Sequence, residues 1–96
     1  MKISLTIRAE KKYAAIINHI KDEWGDAVAE AFRQKTIDFM DLLKNFPELG
    51  LLEVPGKKIR GFQLTKQTRV FYRVKSERLI ILTFFDVRQN PKKKLK

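Results

Sequence analysis

"TRVFYRVK" (residues 68–75), followed by "SER" (76–78) and "LIILTFFDV" (79–87), is the stretch whose reading decides the fold. Val70, Tyr72 and Val74 alternate with Arg69, Phe71 and Arg73, so the first set shares one face of a strand and the second shares the other. The Val/Tyr/Val face suits a core. The other face carries two arginines with an aromatic between them. The short connector to 79–87 makes the pair an antiparallel hairpin, and "KIRGFQL" (58–64), joined to 68–75 by another short turn, extends it to a three-stranded meander.

Upstream, the hydrophobic period changes. "KISLTIR" (2–8) alternates strictly, with Ile3, Leu5 and Ile7 on one side of a half-buried strand. Tyr13, Ile16, Ile17, Ile20 and Trp24 then follow the spacing of an amphipathic helix, which makes Tyr13 and Trp24 core aromatics on its stripe. Gly25 breaks that helix and Asp26 is placed to cap a second one over about 27–46, with Val28, Phe32, Phe39, Leu43 and Phe46 on its apolar side and Pro47 at its end. A connection this short folds the two helices into an antiparallel hairpin. "PELGLLEVPGKK" (47–58), with two prolines and two glycines, reads as an irregular loop. The order is β-α-α-β-β-β: an α+β domain over residues 1–90, helices on one sheet face, with residues 91–96 a basic C-terminal tail.

Composition narrows the function. The chain has no cysteine, which excludes disulfides, thiolate metal sites and a cysteine nucleophile. No apolar run has the length of a membrane span and no h-region follows Met1, so a cytoplasmic protein without membrane contact is expected. No phosphate loop, metal-ligand spacing or Ser/His/Asp arrangement occurs, and neither a metal nor another cofactor is expected. His19 falls on the polar side of the first helix and reads as a solvated residue.

Charge is the strongest signal. Residues 1–56 hold eight Lys/Arg and nine Asp/Glu, whereas residues 57–96 hold thirteen Lys/Arg against Glu77 and Asp86 alone. The chain's net charge of +10 is thus confined to the C-terminal part, a field suited to a polyanion or an acidic protein. Arginine grips phosphate in two places and stays charged at any working pH. Arg60 joins the Arg69/Arg73 face if the strand register allows, and Arg88 closes it from the end of the last strand.

With these residues located, the chain resembles toxins of the RelE/ParE family of type II toxin–antitoxin systems. The likeness rests on the order of elements, on "RVFYRV" (69–74) and on the arginine of "FFDVRQNP" (Arg88). The resemblance implies a toxin that arrests growth. RelE-like members cleave mRNA on the ribosome by attack of a ribose 2′-OH on the adjacent phosphate, without a metal; ParE-like members poison DNA gyrase instead. The first of these is the leading expectation here and the second its alternative. Either kind is held silent by an antitoxin whose C-terminal segment wraps the toxin, here one with an acidic segment to match the basic half. Carried over, Arg69 and Arg88 would act catalytically at the scissile phosphate, with Arg60, Lys57 and Lys58 where the family places further basic residues; Arg73, on the arginine face, and Lys92 and Lys93, in the basic tail, are expected by their charge to bind nucleic acid with them. RNA-cleaving members carry a Tyr or His on the C-terminal segment, and this chain has neither after Arg88. Acid/base chemistry would then fall to Glu53, to a lysine with a depressed pKa, or to Tyr72, the last only by leaving its core face.

Overall fold

The structure is a computed structural model that describes residues 1–89. Its elements are β1 (Lys2–Leu5), α1 (Ile7–Trp24), α2 (Asp26–Asn45), β2 (Leu51–Val54), β3 (Ile59–Gln63), β4 (Thr68–Lys75) and β5 (Arg78–Asp86), with 3₁₀ turns at Pro55–Lys57 and Val87–Gln89. The strands form one sheet in the order β1-β5-β4-β3-β2, antiparallel throughout except for β1, which lies parallel to β5. The α+β architecture, helical hairpin and meander expected from the sequence are all present.

Two local devices set the helical layer. Thr6 ends β1 and caps α1: its Oγ1 accepts from the Ala9 N–H at 3.0 Å and its hydroxyl donates to the Leu82 carbonyl at 2.8 Å, pinning the helix start to β5. Gly25, at φ 95°, ends α1 and begins α2 in a single residue, a conformation that a side chain rarely adopts. The cap of α2 is therefore Gly25, and Asp26 is the helix's first residue. Across the hairpin the Tyr13 hydroxyl donates to Thr36 Oγ1, which in turn donates to the Phe32 carbonyl, both at 3.0 Å.

Beneath the hairpin, Ile16, Ile17, Ile20, Phe32, Phe39 and Leu43 pack on Val70, Tyr72, Leu79, Ile81 and Phe84. Phe39 stacks on Phe62 of β3 at 4.6 Å and meets Tyr72 edge-on at 6.5 Å. Val70 and Tyr72 are fully buried and Val74 packs against the same core, as the alternation of 68–75 requires.

Four readings are corrected. Residues 51–54 are not irregular loop but an edge strand paired with β3, all four of its residues exposed. Ile7 does not continue the core face of β1; it is the first residue of α1 and is 72% exposed, because the strand stops at Leu5 to let Thr6 cap. Trp24 is in phase with the buried stripe yet 63% exposed, and it is no core aromatic: it sits in the last turn of α1, at the end of the hairpin. Val28 and Phe46, at the two ends of α2, are exposed in the same way.

Candidate functional site

The helices cover one sheet face and leave the other open. Register assigns Arg69, Phe71 and Arg73 of β4 to the open face, beside Gly61 and Gln63 of β3 and Ile80 and Phe85 of β5. Arg69 and Arg73 are four residues apart, hence about 13 Å at the ordinary rise of a strand. They occupy different ends of the sheet and have different surroundings.

Arg69 is held on three sides. Its Nη2 is in an ion pair with Glu53 Oε2, its Nη1 donates to Gln63 Oε1 at 2.9 Å, and its guanidinium lies 5.4 Å from the centre of the Phe71 ring. Glu53 belongs to β2, two strands away. It reaches Arg69 because β2 bulges between Leu52 and Val54, re-aiming the side chain, and because the intervening residue is Gly61. A Cβ at Gly61 would lie 2.5 Å from both Arg69 Nη2 and Glu53 Oε2. The pair crosses β3 through the space that glycine leaves.

Arg88 is held more tightly. Its Nη2 donates to Asp86 Oδ2 at 2.6 Å, its Nε to Asp86 Oδ1 at 2.9 Å and its backbone N–H to the same Oδ1 at 2.8 Å. The Thr68 hydroxyl also donates to Asp86 Oδ2. Asp86 is fully buried and Arg88 is 23% exposed. Burial alone would raise the Asp86 carboxyl, but the bonds from Arg88 and Thr68 outweigh it and hold the pKa below the ordinary carboxylate value. The bond to Asp86 in turn raises the Arg88 guanidinium.

Tyr72 is enclosed. Its hydroxyl donates to the Pro47 carbonyl at 2.9 Å and accepts from the Gly50 N–H at 2.7 Å, and burial pushes its pKa up. A Cβ at Gly50 would stand 2.8 Å from that hydroxyl, so glycine there permits the close approach. Arg60 does not join the arginine face: it is opposite Tyr72 in register and therefore on the helix side, where its Nη1 donates to the Gly50 carbonyl at 2.8 Å and the Glu48 carbonyl at 3.3 Å. Tyr72 and Arg60 together tie 47–50 to the sheet.

The structure thus brings Arg69 and Glu53 together, as partners of each other, and turns Arg60 and Tyr72 to the opposite, helix side; Arg88 lies at the same end of the sheet as Arg69, beside Thr68, but is paired with Asp86. Lys57 and Lys58 are exposed and line a depression with Arg73. Lys92 and Lys93, with the rest of the basic tail, lie outside the described residues. Among the described residues no group of three or more His, Asp or Glu gathers where a metal ion could sit, and no helix is long and apolar enough to cross a membrane. The residues that sequence reasoning missed are Gly61, Gln63 and Asp86. A glycine inside a strand pattern is itself a signal of close approach across the strand, and Gly61 carried that signal.

A helical hairpin on one face of a five-stranded mixed sheet, with the opposite face left uncovered by helices, defines a small α+β protein of β-α-α-β-β-β-β order. Residues 3–91 match the ParE toxin of the type II toxin–antitoxin system parDE, and the chain belongs to that family. It is therefore a toxin that operates with a cognate antitoxin. Among solved structures, one described as the chromosomal ParDE toxin–antitoxin system from P. aeruginosa is similar at a TM-score of 0.73 and 24% identity, over 90% of this chain and 95% of that one. A YoeB/ParE toxin from Agrobacterium tumefaciens is similar at 0.65 and 19%, over 90% and 98% of the two chains. These two likenesses are likenesses of fold. No curated protein sequence is significantly similar to the chain.

Proposed function

We propose that this toxin arrests growth without catalysing RNA cleavage, by binding and poisoning DNA gyrase as ParE-like members of its family do. The observation that carries this reading is that Arg69 and Arg88 are both paired with carboxylates of the same chain, Arg69 with the half-exposed Glu53 and Arg88 with the buried Asp86. Cleavage by a 2′-OH needs cations free to meet the charge that develops on a pentacoordinate phosphate, and a group able to exchange a proton. Arg88 would have to abandon a buried carboxylate to supply the first. For the second, Glu53 is occupied by Arg69, and Tyr72 is sealed between Pro47 and Gly50. A toxin that works by occupying a partner's surface requires none of these groups to be free.

The antitoxin is expected to carry an acidic segment, to match a C-terminal part with thirteen basic residues and two acidic ones, and to co-purify with the toxin from a common operon. Both proteins are expected in the cytoplasm, where gyrase works.

Controlled expression in a bacterial host tests the proposal, with mRNA 5′ ends mapped while gyrase-linked DNA breaks are assayed. DNA breaks with intact mRNA are expected, and Arg69→Ala should remain toxic wherever it folds. New mRNA ends at regular codon positions, absent in a folded Arg69→Ala variant, would overturn it and make the chain a ribosome-dependent mRNA endonuclease.

A further inference from the structure

Arg73 stands apart from Arg69 and Arg88. Among the described residues it makes no ion pair, and its Nε is buried without a hydrogen-bond acceptor. It lines a depression of about 490 Å³ with Gly56, Lys57, Lys58, Val74, Lys75 and Ser76. Among the described residues, none of those that line it is acidic. A second depression, of about 620 Å³, adjoins it through Lys75 and Ser76 and brings in Lys2, Arg78 and a single acid, Glu77. The two share one end of the sheet because β4 and β5 turn there in two residues, with Ser76 in the left-handed region at φ 58°, and because Lys58, at φ 55°, brings the preceding 3₁₀ turn alongside. Six cations thus border one tract with one carboxylate among them, and among the described residues none of the six is in an ion pair.

We propose that this tract, at the β4–β5 turn, binds the phosphodiester backbone of a nucleic acid, with Arg73 at its centre and Lys57, Lys58, Lys75, Arg78 and Lys2 along it. A basic surface that serves only solubility leaves its donors in water. Here one guanidinium edge is withdrawn from water and given no acceptor, although Arg69 and Arg88, at the opposite end of the sheet, both have carboxylates. Rotation of the terminal torsions of Arg73 presents Nε–H and an Nη–H side by side, the fork that two phosphate oxygens satisfy. A single carboxylate would leave most of the tract's charge unmatched, whereas a polymer with a phosphate at every nucleotide follows two adjoining depressions. The surface is distinct from the ends of β4 and β5 that hold Arg69 and Arg88, and its use does not depend on which macromolecule the toxin poisons.

The test is binding of a labelled duplex DNA and, separately, a labelled single-stranded RNA to the full chain, followed by fluorescence anisotropy over a range of salt concentrations. Arg73→Gln and Lys57→Gln are each expected to weaken binding roughly fivefold at 0.1 M salt and to reduce the slope of log K against log salt by about 1, the signature of one lost phosphate contact. Lys12→Gln, which removes the same charge from α1, should change affinity less than about twofold, because phosphate contacts act locally under screening. Sensitivity to the tract variants in either polymer supports the proposal and tells which backbone is held. Equal losses from all three variants, or none from the two in the tract, would overturn it. So would a poly-glutamate peptide that binds the tract as tightly as DNA at the same ionic strength, since that would make it a carboxylate dock. Circular dichroism verifies the fold of Arg73→Gln, and Lys57→Gln, in an exposed turn, keeps the test decisive if Arg73→Gln fails to fold.

Discussion

Replacing Tyr72 with phenylalanine separates a structural hydroxyl from a chemical one. The ring stays, so its packing on Phe39 is kept, and only the oxygen goes. That oxygen serves two backbone groups, the Pro47 carbonyl at 2.9 Å and the Gly50 N–H at 2.7 Å. Leaving a buried group without a partner costs about 1–3 kcal/mol. The Gly50 N–H is buried and bears that cost in full; the Pro47 carbonyl is half-buried and recovers part of it from water. The expected loss is therefore about 2–3 kcal/mol, which for a domain of this size lowers Tm by about 10–20 °C. Urea unfolding followed by circular dichroism measures it, with the m-value unchanged. Amide exchange at Gly50 should lose protection first, because that N–H is the one left without an acceptor. Burial raises the Tyr72 pKa, so its contribution to stability is complete below the unfolded tyrosine value of about 10 and is lost as pH rises through the folded one. Alkaline unfolding should accordingly be less steep in Tyr72→Phe than in the parent chain. A loss below about 0.5 kcal/mol would refute the bonding described here. A stable, folded Tyr72→Phe variant that is no longer toxic would refute the structural role and return Tyr72 to the list of acid/base groups.

Asp86→Asn leaves the Arg88 guanidinium without its counter-charge and should cost about 3 kcal/mol, the low end for breaking a buried pair because Arg88 keeps some contact with water; urea melts measure it. The Asp86 pKa is depressed in the fold, so its stabilisation is complete above the unfolded carboxylate value of about 3.9 and is lost as pH falls through the folded one. An acid titration of stability should show that loss in the parent chain and not in Asp86→Asn. Gly50→Ala should destabilise by about 2–3 kcal/mol, since its Cβ would meet the Tyr72 ring and the Gly61 carbonyl, neither of which can yield. Gly61→Ala should change stability by about 1 kcal/mol or less, because it displaces only the tips of Arg69 and Glu53 from a half-exposed ion pair; the same urea series distinguishes the two glycines.

What the sequence made legible was whatever burial imposes with a period. Residues 68–75 alternate because one face of β4 lies under the helices, and the stripe Ile16, Ile17, Ile20 repeats because one side of α1 lies on the sheet. β2 left no such trace. It pairs on one edge only, all its residues face solvent, and "LLEV" lies between a glycine and a proline, so neither alternation nor propensity marks it. Trp24 and Phe46 show the converse failure. Their phase is right, but phase says nothing of how far the neighbouring layer extends, and both lie at helix ends where it has stopped. Arg60 turned on register: "KIRGFQL" carries apolar residues on both of its faces, so its sequence cannot say which face holds the arginine. The acids that neutralise Arg69 and Arg88 were visible as residues. The pairing of Arg69 was not, because Glu53 is sixteen residues away and meets it only across a bulge and a glycine, whereas Asp86 is only two residues from Arg88.

That pairing changes how the basic half should be understood. β2 has no buried side chain to hold it, so polar links secure it: Glu53 to Arg69 across β3, and the preceding 47–50 segment through Tyr72 and Arg60. The end of β5 is secured similarly by Arg88 on Asp86 and Thr68. Arginine suits such work because its planar fork satisfies several acceptors at once and never loses its charge, so one side chain can join strands that apolar contact does not reach. Arg60, Arg69 and Arg88 are thus fasteners of the sheet's margins, and the charges of Arg69 and Arg88 are answered by carboxylates of the same chain. The field that a partner meets arises instead where no fastening is needed, around Arg73 and the lysines at the β4–β5 turn. A fold that divides its cations in this way would keep its margins in place while a polyanion bound to and left the tract, because the fastening arginines and those proposed to face the ligand are different residues.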